Sequence, residues 1–206
     1  MKLLLLGSTG RVGSCVLEKA INDGHKVHVI ARHPEKLAAH HENLTIHTGD
    51  ATVNADLEKA MEGCEAVISA LGTDGGTVLT DSIPLVIQAM MDRGIKRLVT
   101  VGTAGILESR TEPGLLRYQS SESRRRLTRA AEEHHRAYLA MKQSPLQWTI
   151  VCPTYLPDGP EIGNYRVEKD YLPMDGTQIS TGDTAVFTYK QLSSNEFIKS
   201  RVGIAY

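Results

Sequence analysis

Lys2-Leu3-Leu4-Leu5-Leu6-Gly7-Ser8-Thr9-Gly10-Arg11-Val12-Gly13 is the stretch whose reading decides the fold. Four leucines behind one lysine are too few for a membrane span or a signal core, but they suit a strand buried on both faces. Gly7, Gly10 and Gly13 follow at a G-x-x-G-x-x-G spacing. Ser14 to Asp23 then reads as a helix: Val12, Val16, Leu17, Ala20 and Ile21 recur at helical spacing, and Asn22-Asp23-Gly24 stops it. Strand, glycine turn and helix, in that order, form the context in which a glycine spacing implies dinucleotide binding. Residues without a Cβ let backbone N–H groups approach a pyrophosphate, and the positive end of the following helix faces its charge. The plainer reading is an ordinary glycine-rich turn, and the end of the second strand weighs against it.

Lys26-Val27-His28-Val29-Ile30-Ala31 reads as that second strand, with Arg32 at its C-terminal end, about 20 residues beyond the last glycine. In such a unit this position faces the adenosine ribose. An acid there bonds the ribose hydroxyls and selects NAD, whereas an arginine welcomes the 2′-phosphate of NADP. Ile30, Ala31, Arg32 and His33 include no acid, and Arg11 and Lys36 add charge to the same pocket. Arg32 as a solvated loop residue is the alternative; the strand context favours phosphate, and so NADP(H) as the cofactor.

Further on, Leu44 to Thr48 is a third strand, Val53 to Met61 holds a short helix, and Glu65 to Ala70 is a fourth strand. Leu71-Gly72-Thr73 is a small-residue bend where ligand and backbone come close. A helix over Asp81 to Arg93, with Pro84 in its first turn and Gly94 as its stop, precedes a fifth strand from Lys96 to Val101. Thr103 to about Ser121 loses periodicity and reads as a substrate wall. Ser123 to Lys142 reads as one long helix in which Arg124, Arg125, Arg126 and Arg129 precede Glu132 and Glu133. A solvated face of Arg/Glu pairs explains that run better than an anionic partner surface. Gln147 to Cys152 is a sixth strand, followed by Pro153-Thr154-Tyr155; Gly159 to Asp170 is irregular. Ser180 or Thr181 caps a helix running to about Leu192, and Val202-Gly203-Ile204 makes a last short strand.

Strands alternating with helices this regularly predict an α/β fold, a doubly wound, mostly parallel Rossmann sheet. One domain covers residues 1–206, with substrate-covering loops at about 103–121 and 153–180. Ligands in such sheets sit beyond the carboxyl ends of the strands, the edge to which Gly7, Arg32, Asp50, Leu71, Gly72 and Thr103 belong.

A formal net charge of −1 argues against nucleic-acid binding, which needs a basic excess. No apolar run approaches a membrane span. Cys15, Cys64 and Cys152 are an odd, widely spaced set, as expected of reduced thiols in a cytoplasmic protein, with Cys15 and Cys152 as small core residues near the cofactor edge.

Gly49-Asp50, the run from Asp56 to Ile68, Leu71-Gly72-Thr73, Cys152-Pro153-Thr154 and the tail from Gly163 to Ala185 together resemble the biliverdin-IXβ reductase/flavin reductase family. These are atypical short-chain dehydrogenase/reductases with an NmrA-like NAD(P)-binding fold, and the glycine spacing is one that superfamily uses. The resemblance covers nearly the whole chain. It implies an NADPH-dependent reductase, a monomer or weak homodimer, passing hydride to a flavin or tetrapyrrole in an open apolar site. It further implies that Asp50 and the Ala51 N–H meet the adenine, that Thr103 stands where the family has a serine, and that His134 matches a family histidine. Tyr155 replaces a second family histidine, a departure that bears on the substrate.

Tyr138 and Lys142 make a Y-x-x-x-K pair, the spacing superfamily dehydrogenases use. Four residues along a helix put both side chains on one face, and an ammonium beside a phenol favours the phenolate. Tyr138 is then either a general acid, with Thr103 orienting a carbonyl, or a core aromatic. His134-His135 and His40-His41 have no third ligand at metal spacing and read as solvated histidines, so no metal is expected.

The expected function is an NADPH-dependent reductase acting on a flavin, tetrapyrrole, quinone or carbonyl. Gly7, Thr9, Gly10, Arg11, Val12 and Arg32 hold the phosphates, and Asp50 and Ala51 the adenine. Leu71, Gly72, Thr73, Thr103, Pro153, Thr154 and Tyr155 line the nicotinamide end; Thr103, Tyr138, Lys142 and His134 are the catalytic candidates. A non-catalytic NADP(H) sensor of NmrA type is the rival. A nucleotide-sugar epimerase ranks last, because the chain does not carry the long C-terminal substrate domain of such enzymes.

Overall fold

The structure, a computed structural model, describes residues 1–37, 41–123 and 127–206. Its centre is the leucine run. β1 (Lys2–Leu6) sends Leu3 and Leu5 to one face of the sheet and Leu4 and Leu6 to the other, all four wholly buried. Burial on both faces is why the strand reads as an unbroken apolar run. Around it stand β2 (Lys26–Ala31), β3 (Leu44–Thr48), β4 (Ala66–Ser69), β5 (Arg97–Val101), β6 (Gln147–Pro153), β7 (Arg166–Lys169) and β8 (Ser200–Ala205). Their order is β3-β2-β1-β4-β5-β6-β8-β7, parallel except for β7 at the edge.

Helices cover both faces. α1 (Arg11–Asn22) packs on the Leu3/Leu5 side; α2 (Asn54–Ala60), α3 (Val78–Asp92) and α4 (Arg129–Gln143) pack on the Leu4/Leu6 side. α5 (Thr181–Lys190) returns to the first side against α1. This is the doubly wound Rossmann arrangement, with the strand order reversing at β1 so that a crevice opens there between β2 and β4.

Several boundaries differ from the sequence reading. α1 begins at Arg11, directly on the glycine turn, three residues before Ser14. α3 begins at Val78, not Asp81, so Pro84 lies inside the helix and leaves the Thr80 carbonyl without its intrahelical partner. α4 begins at Arg129, six residues after Ser123; Arg124, Arg125 and Arg126 lie outside the described residues. Arg166–Lys169, inside the stretch read as irregular, is a strand paired antiparallel to β8; exposed and largely charged, it carries no apolar alternation to announce it. Glu133 is not on a solvated face: it is buried, and its Oε1 accepts the Leu79 N–H at 2.8 Å, capping α3 from a neighbouring helix.

The two long loops are tied down. Arg201, buried on β8, donates to the Ile106 carbonyl and to Glu108 and lies 3.4 Å from Asp170, holding the 103–121 segment to the far strands. The 153–180 segment is held by Asp183, whose Oδ1 accepts from the Ile162 and Gly163 N–H groups and whose Oδ2 accepts from the Tyr206 hydroxyl at 2.6 Å. Ser180 caps α5, accepting the Asp183 N–H at 3.0 Å while donating to the Pro160 carbonyl at 2.7 Å. Ser180→Ala removes both bonds and is expected to lower the unfolding free energy by about 1–2 kcal/mol, read as a lower urea midpoint at unchanged slope.

Candidate functional site

The crevice at the strand reversal is built from the ends of four strands. Leu6, Gly7, Thr9 and Gly10 form its floor, Arg32, His33 and Lys36 one wall, Gly49, Asp50 and Ala51 the next, and Leu71, Gly72 and Asp74 the wall opposite. Gly7 is in a left-handed conformation (φ 77°), and a Cβ there would sit 2.5 Å from the Ala70 carbonyl oxygen. A Cβ on Gly13 would meet the Gly7 carbonyl oxygen at 2.1 Å, so glycine is what lets α1 close on the turn. Gly10 takes the N-cap position with no side-chain cap, and no acid stands in the first turn of α1. An uncapped helix start with its N–H groups above a groove walled by Arg32 and Lys36 fits a phosphorylated dinucleotide.

Each predicted cofactor residue has a definite place. Asp50 accepts at Oδ1 from the Thr52 N–H (2.9 Å) and hydroxyl (2.8 Å). The Thr52 N–H, with its hydroxyl and the Arg32 charge, holds the Asp50 carboxyl below the usual carboxylate range against the opposing effect of burial. Val12 turns its side chain into the core under α1, leaving only its backbone toward the turn. Arg11 does not join Arg32: its Nη1 donates to the Leu156 carbonyl at 2.8 Å and to Asp158 Oδ1 at 3.0 Å. Thr73 lines a neighbouring cavity with Gly75, Gly76 and Glu133.

Thr103, Pro153, Thr154 and Tyr155 meet at the ends of β5 and β6, beside Arg11 and Asp158. Thr103, Thr154 and Tyr155 also line a cavity of ≈340 Å³ with Gly105, Tyr118 and Ala131. Nothing near Tyr118 in the sequence marks it as a site residue; its hydroxyl meets His135 Nδ1 at 3.0 Å. Burial, with the charges of Arg201 and Arg136, lowers the His135 pKa.

Tyr138 and Lys142 are elsewhere. α4 runs back from the ligand edge to the opposite edge of the sheet, where β6 begins, so its last two turns are far from the crevice. The Tyr138 ring packs edge-on to Trp148, the second residue of β6, at 5.9 Å, with the Arg201 guanidinium 4.5 Å from its centroid. Lys142 Nζ sits 5.8 Å over that ring's face instead of beside the hydroxyl. The pair has the spacing of an acid couple and stands in the half of α4 away from the cavity. His134 follows Ala130 and Ala131, which face the cavity, by one turn of α4; burial pushes it down to about 4, so it is a neutral imidazole at pH 7.

Cys64 and Cys152 are buried and Cys15 partly so; burial pushes the Cys152 thiol up to about 12. Among the described residues, no group of three or more His, Cys, Asp or Glu is placed to hold a metal, and His40 lies outside those residues. No helix among them is long and apolar enough to cross a membrane.

Residues 7–195 match a family model described as NAD(P)H-binding. Among solved structures, a candidate epimerase from Bacteroides thetaiotaomicron is 28% identical, with 100% of this chain and 96% of that one covered and a TM-score of 0.84. A candidate NADH-flavin reductase from Streptococcus pneumoniae is 26% identical over 100% and 99% of the two chains, at a TM-score of 0.82. At 21% identity, the anaerobilin reductase of Escherichia coli O157:H7 shares the fold, with 100% and 97% covered and a TM-score of 0.82. The flavin-reductase likeness read from the sequence is thus met by a solved structure of the same length and topology.

Proposed function

The chain belongs to the NAD(P)H-binding family, and from that premise we propose that it is an NADPH-dependent reductase of the atypical short-chain dehydrogenase/reductase type. The observation that carries the reading is one cleft that joins an uncapped helix start, a glycine turn and two cations, Arg32 and Lys36. The Streptococcus protein is named for NADH; in this chain the two basic side chains at the ribose wall favour the phosphorylated cofactor.

In this reading the amides of the Gly7–Gly13 turn face the pyrophosphate, Arg32 and Lys36 the 2′-phosphate, and Asp50 and Ala51 the adenine. Leu71 and Gly72 flank the cofactor's middle, while Thr103, Pro153, Thr154 and Tyr155 line its nicotinamide end. When bound, the nicotinamide supplies the hydride. The cavity of Thr103, Gly105, Tyr118, Thr154 and Tyr155 admits a planar acceptor such as a flavin, tetrapyrrole or quinone, with aromatic side chains at Tyr118 and Tyr155. One hydride and one proton reduce the acceptor, and the proton comes from solvent. We place the protein in the cytoplasm, where its three thiols stay reduced.

Tyr138→Phe separates the proton routes: turnover and its pH profile are expected to stay within about twofold of wild type, because the phenol lies outside the cavity. A loss of about tenfold or more, the low end of a general-acid contribution, would return Tyr138 to the mechanism. The activity itself is tested by following NADPH consumption with flavin, quinone and carbonyl acceptors. Tight NADPH binding with no oxidation across that set assigns the chain to the sensor role instead.

A further inference from the structure

Asp74 stands 42 residues from Arg32 in sequence, yet its Oδ2 lies 3.2 Å from Arg32 Nη2. The topology brings them together. β2 and β4 flank β1 on opposite sides, so Arg32, after β2, and the loop after β4 face each other across the glycine turn. The loop is aimed by its own sequence. Gly76 N–H bonds the Thr73 carbonyl at 2.8 Å, and Asp74 and Gly75 both have positive φ (47° and 69°). Those are the features of a type I′ turn, which Asp-Gly favours. The turn fixes where the carboxylate points, and it points at the cation assigned to the 2′-phosphate.

We propose that Asp74 is the specificity-determining residue of the nucleotide cleft: it holds Arg32, and a 2′-phosphate binds by taking its place. This rests on the cofactor reading above and adds a competitor to it. Both partners are more than half exposed, 59% and 62% at the side chain, and an exposed ion pair is weak. A phosphate dianion makes two charge-assisted bonds to a guanidinium, so it displaces a carboxylate held by one contact. The ribose hydroxyl of NADH carries no charge and leaves the Arg32–Asp74 pair in place. Asp74 therefore weakens NADP(H) binding selectively and narrows the preference that Arg32 and Lys36 create.

The test is calorimetric titration of wild type and Asp74→Asn with NADPH and with NADH. Asparagine keeps the turn, since Asn-Gly is as good a type I′ sequence, and deletes only the charge. NADPH affinity is expected to rise about three- to tenfold while NADH changes by less than about twofold, the scale of a surface ion pair and its repulsion. Asp92→Asn, which removes a charge at the far end of α3, leaves both affinities unchanged. If wild type takes up NADPH and Asp74→Asn leaves the NADPH/NADH ratio where it was, or lowers NADPH affinity, this inference fails and the cofactor reading stands. A loss of NADH affinity in Asp74→Asn overturns it as well, by making Asp74 a ribose ligand. No NADPH uptake by either protein removes the cofactor reading and this inference together.

Discussion

Gly7→Ala is expected to lower the unfolding free energy by about 2–5 kcal/mol and to cut NADPH affinity at least about tenfold. Two costs add. An alanine at φ 77° pays the left-handed penalty of about 1–2 kcal/mol. Its Cβ would also sit 2.5 Å from the Ala70 carbonyl oxygen and 2.8 Å from the Leu71 nitrogen, both backbone, and overpacking of that kind costs about 1–3 kcal/mol. Relief requires β4 to part from the glycine turn, which opens the floor of the nucleotide cleft. Gly24→Ala is the control: it has φ 76° but, among the described residues, nothing beyond its chain neighbours within 4 Å of its Cβ position, so it pays only the conformational part and leaves cofactor binding unchanged. Urea midpoints for the two variants, at unchanged slope, read the difference.

Arg32→Ala has the largest expected effect on binding. Hydrogen bonds to charged groups are worth about 1.5–3 kcal/mol, so NADPH affinity falls roughly 10- to 150-fold. The loss belongs near the upper end, because Asp74 then faces the phosphate with no cation between them. NADH affinity stays within about twofold of wild type. Stability moves by no more than about 1 kcal/mol, since an exposed ion pair is all the fold loses. A parallel loss for both cofactors would place Arg32 on the pyrophosphate or the adenine.

What could be read from the sequence was whatever a single stretch specifies. β1, the glycine turn, Arg32 and the Ser180 cap each declare themselves within a few residues, and strands alternating with helices then leave little choice of sheet. What escaped was the meeting of distant residues. Glu133 looked like one more charge on a polar helix, because nothing near it in sequence announces the α3 start it caps, 54 residues away. Arg11, inside the glycine turn, reads as adding charge to the Arg32 pocket, but its partner Asp158 is 147 residues on. Asp74, just past the Leu71-Gly72-Thr73 bend, carries no local sign that it is the carboxylate on Arg32. Tyr138 and Lys142 lie apart from the cavity for another reason: spacing puts two side chains on one helix face, but does not say which end of the sheet that part of the helix reaches. α4 starts at Arg129, so Ala130 and Ala131 take the ligand edge and Tyr138 goes to the core.

On the proposed function, one cleft holds the 2′-phosphorylated cofactor through the glycine-turn amides and Arg32. Calorimetric titration of the wild-type protein with NADPH and NADH under the same conditions tests it most directly. Saturable NADPH uptake at least about tenfold tighter than NADH is expected, one charge-assisted contact's worth. Equal affinities, tighter NADH, or no uptake of NADPH would contradict it.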